Sequence, residues 1–437
     1  MIQPVLLSLL TVFLFILPIP GTIALRYGLL LCLVVATLVL AGRERSVWRH
    51  RVSALRPFIA WHGVLLAWFL GQAVLISPER AWALKEIRGQ WLPAVICAVV
   101  GFGVALLPRL DRDLTRERVL TYVVMGLGAQ TAFSILVTLP DFLAIGAFPQ
   151  GKTNWTAGKL EISYWNNLLL AFLAVDILSR WRYRVRQTDL HLGWVVGGIF
   201  LVLSSNIMFG ARNGIIGSLL LLFSLFLVVM WRERQALGSQ QAIAFLFLTV
   251  TLVGLLGVSS YVTDSRWQRF AETAALAWQI EHHDAWLNPD DGEYPKTTSG
   301  TEVDPSAYLR IAWIRAGLDL IVDHPLGIGY GRNAFGHALR LAQETRLGHA
   351  HSGAIDLTIG VGVPGVLLWL GFLGWMTWQG GRRYFQRNDA LGLITVFVTG
   401  GFFGRMLLDS INRDHMLMLF FLISAMLLAL PERRAEP

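Results

Sequence analysis

Three arginines and two histidines stand where apolar stretches of the chain give way to polar ones: Arg88 in RGQW, Arg212 in FGARNG, Arg310 in AYLRIAW, and His349 and His351 in HAHS. A guanidinium offers a planar fork of donors that matches phosphate oxygens. An imidazole, with an ordinary pKa near 6.5, accepts a proton near neutral pH. Phosphate binding and proton acceptance are therefore the chemistry these side chains supply. Arg212 carries most weight, because it lies in a turn of about four residues between two long apolar runs, and an arginine near hydrocarbon is costly unless it has an anionic partner or a function. The alternative for each arginine is snorkelling to lipid headgroups, and for each histidine a surface position at the membrane–water boundary. Arg26 and Arg405 share the arginine ambiguity. Arg405, with Asp409, Arg413 and Asp414 nearby, reads as part of a structural ion-pair cluster.

Other constellations carry less. His282-His283-Asp284, with His349 and His351, offers zinc-ligating residue types. Residues two apart on a helix do not converge on one ion, however, and neither HExxH nor a cysteine pair accompanies them; no metal site is expected. Asp111-Arg112-Asp113 lies among arginines, and Asp290-Asp291-x-Glu293 lies in a stretch of loop composition; both read as solvated acids. The first outer loop, PIPG, has no acidic residue. PLGIGYGRNAFG holds a GxGxG without a P-loop lysine or a preceding strand, so it reads as a turn that docks helices rather than a nucleotide site. No cofactor is expected.

A membrane-embedded scaffold must hold these residues. Of 437 residues, 54% are hydrophobic and 15% charged, against about 25% charged in an ordinary soluble domain. Twelve apolar segments follow one another, roughly 4–20, 22–41, 57–76, 91–108, 119–139, 163–179, 192–209, 214–230, 241–263, 353–375, 390–408 and 415–430, several near the lower length limit for a span. The first lacks the basic start and small-residue cleavage site of a signal peptide and reads as an uncleaved helix. The fold class is thus an all-α polytopic membrane protein of about twelve transmembrane helices. Arginine clusters at 43–56, 109–118, 180–186, 232–234 and 382–387, with Arg433 and Arg434, hold 20 of the 37 basic residues, all in alternate loops. The positive-inside rule places those loops and both termini in the cytoplasm. The net charge of +8 then marks topology and contact with anionic membrane lipids, and no nucleic-acid partner is expected. Cys32 and Cys97, both inside apolar runs, exclude a disulfide scaffold.

Three regions result: 1–263 with spans one to nine, 264–352 as a large polar loop, and 353–437 with spans ten to twelve and a short tail. Within the loop, Leu309, Ala312, Trp313, Ala316 and Leu320 recur at helical spacing. Pro305 suits a first turn, His324-Pro325 ends that helix, and Asn333 is placed to cap a second one through about Leu347. The stretch 288–305 reads as a mobile loop. Trp267, Trp278, Trp286 and Trp313 either cover a cavity open to the membrane or form an interfacial aromatic belt.

On these residues the chain resembles the O-antigen ligase and polymerase superfamily of bacterial envelopes. In HSGAIDLTIGVGVPG, His351-Ser352, nine residues, then Gly362-x-x-Gly365 is similar to the ligase pattern of His, then Asn, Ser or Gln, nine residues, then G-x-x-G. The glycines suit close packing within a span. The arginine turn Ala211-Arg212-Asn213-Gly214 and the R-x-x-W of Arg310 and Trp313, followed by HPLGIGYG at 324–331, match as well. The motifs cover about 200–370, the twelve-span topology covers the rest, and the spacing selects His351 over His349.

The resemblance implies a membrane glycosyltransferase that moves O-antigen polysaccharide from an undecaprenyl-diphosphate donor to a sugar hydroxyl of lipid A–core, completing lipopolysaccharide. It implies a multi-pass protein of the Gram-negative inner membrane, its active site facing the periplasm, working without metal or ATP. Carried over by motif, Arg212 and Arg310 would hold the diphosphate and His351 would be the general base. Arg88 and His349 are added from position as further diphosphate contacts. A single displacement would invert the anomeric centre, with no second carboxylate of the kind glycoside hydrolysis needs. Within the superfamily the alternatives are an O-antigen polymerase and a protein O-oligosaccharyltransferase. The His-Ser spacing and the place of the long loop weigh against the first, and the short C-terminal region against the second. A twelve-span secondary transporter should show two related halves and broken helices near the midplane; neither is read in the sequence. A non-catalytic lipid-binding scaffold is the remaining alternative.

Overall fold

The structure is a computed structural model that describes residues 2–111, 113–146, 153–233, 239–263, 270–290, 292–298 and 300–432. Arg112, Arg234, Trp267, Asp291, Arg433 and Arg434 lie outside the described residues. Helices α1 (Ile2–Ile16), α2 (Ile23–Arg43), α3 (Arg45–Ala54), α4 (Arg56–Leu75), α5 (Arg80–Glu86), α6 (Leu92–Leu110), α7 (Arg116–Ile145) and α8 (Lys159–Tyr183) lead to α9 (Leu192–Met208), α10 (Arg212–Glu233) and α11 (Ser239–Thr263). Then come α12 (Phe270–Ala277), α13 (Pro305–Asp323) and α14 (Ala334–Arg340), followed by α15 (Gly353–Arg387), α16 (Leu391–Leu408) and α17 (Asp414–Ala429). No strand occurs among the described residues; Lys296 and Glu302 make one isolated bridge.

Among the described residues, eight helical stretches are long and apolar enough to cross a membrane: α2, α4, the continuous α5–α6 stretch, α7, α8, α10, α15 and α16. The shorter apolar helices α1, α9 and α17, with the 25-residue α11, account for the other four apolar segments. The protein is an all-α polytopic membrane protein. Helices α8 and α17 are buried along nearly their whole length; α17 is apolar on nearly all sides and packs along α6, whereas α8 buries Asn166, Asn167 and Asp176 in hydrogen bonds.

The arginine clusters share one end of this bundle. Arg116, at the start of α7, donates to Asp389 (3.1 Å) and to Gln187 (3.1 Å). Arg232, at the end of α10, donates to the Tyr384 carbonyl (2.7 Å). The chain after α6, after α8, after α10 and after α15 therefore meets on one side, as alternate loops require. Helix α3 is an addition that no apolar run marks; its Trp48 meets Phe102 of α6 edge-on at 4.9 Å.

Helix α15 is broken, contrary to the expectation of uninterrupted spans. Gly362 adopts φ 70°, ψ 173°, and the groups its break frees are taken up by other parts of the protein. The Ile359 carbonyl accepts from Ile328 N–H (3.0 Å), the Gly360 carbonyl from Gly329 N–H (2.8 Å) and Gln72 Nε2 (2.7 Å), and the Val361 carbonyl from Trp68 Nε1 (2.8 Å). Val363 N–H donates to the Pro325 carbonyl (2.9 Å). The G-x-x-G thus docks the PLGIGYG turn more than it packs helix on helix. A Cβ at Gly362 would meet the Leu326 carbonyl and Gly327 N. Gly362→Ala is expected to destabilise the protein by about 2–4 kcal/mol, combining a left-handed backbone cost with overpacking. Gly374→Ala, which meets nothing within 4 Å, should leave the detergent unfolding temperature nearly unchanged. Equal temperatures for the two variants would overturn this account of the break.

Candidate active site

The segment between α11 and α15 builds its own small core from Ala277, Trp286, Tyr308, Trp313, Phe335 and Ile359 among others. Pro305 opens α13 and Asp304 caps it, accepting from Ala307 N–H (2.7 Å), which satisfies an otherwise orphaned donor. Helix α14 ends at Arg340, short of the expected Leu347. The chain has turned back by then: Gly336 N–H donates to the Gly348 carbonyl (2.8 Å) and Arg340 to the Leu347 carbonyl (3.1 Å). The returning loop delivers His349 and His351 to the start of α15.

Three contacts fix His351 there. Ser352 caps α15 by accepting from Ile355 N–H (3.4 Å). Buried Asp356 accepts from Ala350 N–H (3.2 Å), Phe335 N–H (3.4 Å) and the Ser410 hydroxyl (2.8 Å). Trp313 stacks on the His351 ring with centroids 5.3 Å apart and planes at 9°. Trp313 is itself held by its Nε1, which donates to the Trp286 carbonyl (2.8 Å). His351 takes φ +52°, a left-handed backbone that a non-glycine residue adopts at a cost and that clusters at functional sites.

His351 faces a cavity of about 290 Å³ that Arg212, Arg310 and Arg405 also line. Lys159, at the start of α8, is a fourth cation on the wall. Among the described residues one carboxylate joins them. Asp409 accepts from Arg405 (2.9 Å) and Asn213 Nδ2 (2.8 Å), and Arg310 Nη1 lies 3.5 Å away. Arg405 is buried and also donates to Ser163 Oγ (2.8 Å) and the Leu160 carbonyl (3.2 Å). The lining also has an apolar part, with Ile216, Phe270, Ile311, Ile314, Leu407 and Leu408. An excess of positive charge among the described lining residues, beside hydrocarbon side chains, fits an amphiphile with an anionic head.

Burial, reinforced by Arg310 and Arg413, pushes the His351 imidazole down to about 4. Burial, then Arg413, His351 and Arg310, pushes His349 down to about 3. Both rings are neutral at pH 7 and able to accept a proton. An unfolded histidine titrates near 6.5, so the unfolded chain binds more protons between about pH 4 and 6.5. The stability linked to these rings is therefore present above that window and lost as pH falls through it.

The structure brings together Arg212, Arg310 and His351, the three residues selected by motif. His349 lies behind, its ring 4.3 Å from that of His351, and is not on the cavity wall. Arg88 is not there either. It sits exposed on a π-helical turn, Ile87–Trp91, whose neighbours Glu86 and Gln90 reach inward to Arg332 (2.9 Å) and Asp414 (3.3 Å). Arg405 does pair with Asp409, as the ion-pair reading holds, but Asp414 pairs with Arg332 (3.1 Å) and Arg413 turns to Asn333 (3.4 Å). Arg26 caps its own turn through the Ile19 carbonyl (2.5 Å) and Thr22 Oγ (3.0 Å). Trp286 and Trp313 belong to the small core, so they form no belt, while Trp278 is exposed beneath Arg315. Sequence reasoning missed Lys159 and the bridging role of Asp409. Asp409 lies four residues after Arg405, a spacing that pairs charges on a helix and was the available signal. Among the described residues no three His, Cys, Asp or Glu side chains group as metal ligands.

A bundle of membrane-crossing helices with a cationic, half-apolar cavity at one end defines the class. A family model described as O-antigen ligase matches residues 197–370, a stretch running from α9 to the middle of α15 and including Arg212, Arg310, Trp313, His351, Gly362 and Gly365. Over that stretch the chain is similar to the O-antigen ligase family, which supports the superfamily read from its motifs. No curated protein matches the chain.

Proposed function

We propose that the protein is the ligase of this superfamily, transferring O-antigen polysaccharide from undecaprenyl diphosphate to a sugar hydroxyl of lipid A–core at the periplasmic face of the inner membrane. The observation that carries this reading is one cavity in which, among the described residues, Lys159, Arg212, Arg310 and Arg405 outnumber Asp409 beside His351, with apolar side chains in the same lining. The donor has the matching chemistry: a diphosphate joined to a polyprenyl chain on one side and to the transferred sugar on the other. In the step itself, the acceptor hydroxyl attacks the anomeric carbon as its O–H proton passes to a ring nitrogen of His351. The anomeric C–O bond to phosphate breaks, and undecaprenyl diphosphate leaves with the bonding pair. Developing charge on the leaving oxygen is met by the guanidiniums, the proton by the base, and the anomeric centre inverts.

The direct test combines purified protein, lipid-linked O-antigen and lipid A–core in excess EDTA, read as a ladder of capped lipopolysaccharide on a gel. A ladder supports the ligase and its independence of metal. Elongation of lipid-linked repeats with no capped product would make the protein a polymerase.

A pH profile tests the base. In the free protein His351 titrates at about 4, so kcat/KM should keep more than about half its neutral value at pH 5.5, where an unperturbed histidine would be mostly protonated. Bound diphosphate raises the imidazole pKa by its charge, so the acid limb of kcat should lie above that of kcat/KM. An acid limb of kcat/KM centred near 6.5 would contradict the desolvated base.

A further inference from the structure

Asn166, Asn167 and Asn206 stand inside apolar segments of the chain, where a side-chain amide is costly unless it is hydrogen-bonded and where polar side chains join helices. The structure links them. On α8, Ser163, Asn166 and Asn167 lie three and four residues apart and share a face. That face meets the last turn of α9 and the first turns of α10. Asn166 Nδ2 donates to Ser205 Oγ (3.0 Å) and to Asn206 Oδ1 (2.8 Å). Asn206 Nδ2 donates to Ser218 Oγ (3.2 Å), whose hydroxyl donates on to Asn167 Oδ1 (3.0 Å). All of these side chains are buried.

Helix α10 is seated on this network, and two glycines let it come close. A Cβ at Gly214 would meet Asn206 Oδ1 and Ser163 Cβ, each at 2.7 Å, and one at Gly217 would meet Asn167 Nδ2. The connection from α9 to α10 is short, 209–211, and Ala211 N–H donates to the Asn206 carbonyl (3.0 Å). Asn206 therefore holds the chain just before Arg212 through its carbonyl and just after it through its amide. The same turn is tied to the cavity: Asn213 Nδ2 donates to Asp409 (2.8 Å), and Ser163 Oγ accepts from Arg405 (2.8 Å). A network that served helix association alone could sit at any depth along these helices. This one brackets Arg212.

The geometry points to Asn206 as the positioning residue of Arg212, fixing the first turn of α10 so that the guanidinium stands on the cavity wall. The role rests on the diphosphate binding proposed above. Asn206→Ala leaves its neighbours bonded, because Asn166 keeps Ser205 and Ser218 keeps Asn167. In this variant kcat/KM for the lipid-linked donor should fall about tenfold to a hundredfold, since a misplacement of about 1 Å suffices for that, with KM for the acceptor unchanged. In an Arg212→Ala background the same substitution should cost less than about twofold, because no guanidinium is left to misplace. An equal loss in both backgrounds, as from a residue that serves stability alone, would overturn the assignment. Backbone hydrogen exchange reads the seat without the reaction: 211–216 should exchange faster in Asn206→Ala, while α13 and the start of α15 exchange as in the wild type. Unchanged exchange at 211–216, or a rise shared equally by all three, would overturn it too. A wild type that transfers no O-antigen would remove the ligase reading and leave the exchange result to decide on Asn206. Should Asn206→Ala fail to fold, Gly214→Ala, which presses a methyl onto the same amide, takes its place in both measurements.

Discussion

His351→Ala is expected to lower transfer by about a hundredfold to ten-thousandfold, the range for removing a positioned general base, while the protein keeps its helix content and unfolds within a few degrees of the wild type. The structural half of that expectation rests on what holds the segment. The Ser352 cap and the Asp356 bonds to Ala350 and Phe335 N–H use none of the His351 ring, so the start of α15 survives its loss. Because His351 takes φ +52°, Asn is the better test residue: it tolerates the left-handed region and cannot take the proton. His351→Asn should therefore be as inactive as the Ala variant and at least as stable. The tract HAHS offers a second imidazole, and the geometry separates the two. His351 is on the cavity wall and His349 is not, so His349→Ala should cost less than about tenfold, well under the loss expected of a general base. A larger loss at His349 than at His351 would move the base assignment.

What was legible in the sequence was whatever depends on short-range pattern. All twelve apolar segments became helices, because a stretch of some twenty apolar residues has few other ways to satisfy its backbone in hydrocarbon. The Arg–Trp pair at 310 and 313 was legible as a motif, but its meaning needed the fold: three residues apart on α13, they lie on one face. Arg310 enters the cavity while Trp313 stacks on His351. Arg88 was misplaced for the converse reason. Its position at a boundary said nothing of rotation about the helix, and the π-helical turn that sets this rotation has no sequence mark. The break at Gly362 was hidden too. Gly-Val-Pro-Gly within an apolar run reads as tolerable inside a span, and only the arrival of a turn from some thirty residues earlier decides that the helix opens. Long-range pairing of this kind, like the return of the chain from α14 to Gly348, lies outside any local periodicity.

Arg310→Ala and Arg212→Ala should each reduce kcat/KM for the lipid-linked donor by about a hundredfold to a thousandfold, comparable with loss of one oxyanion-stabilising donor, with little change in stability. Arg310 is partly exposed, and its ion pair with Asp409 spans 3.5 Å. When it is removed, Asp409 keeps Arg405 and Asn213, so no buried charge is stranded. Arg405 is the contrasting case. It is buried and holds Asp409, Ser163 and Leu160, and Arg405→Ala takes from buried Asp409 its nearest cation, leaving it Asn213 and the more distant Arg310, a defect of about 3 kcal/mol, the low end for breaking a buried pair. Activity lost there should come with lost protein. Charge alone does not explain Arg310, because a lysine carries the same charge without the planar fork; Arg310→Lys should fall between wild type and Ala. Inhibition by the product, undecaprenyl diphosphate, then separates two ways of acting. If the arginines grip the ground-state diphosphate, the inhibition constant rises along with KM. If they act on charge that develops only as the C–O bond breaks, kcat falls and the inhibition constant stays put. An Arg212 or Arg310 variant with unaltered kcat/KM would remove the diphosphate from this cavity altogether, and with it the reason for His351 to face it.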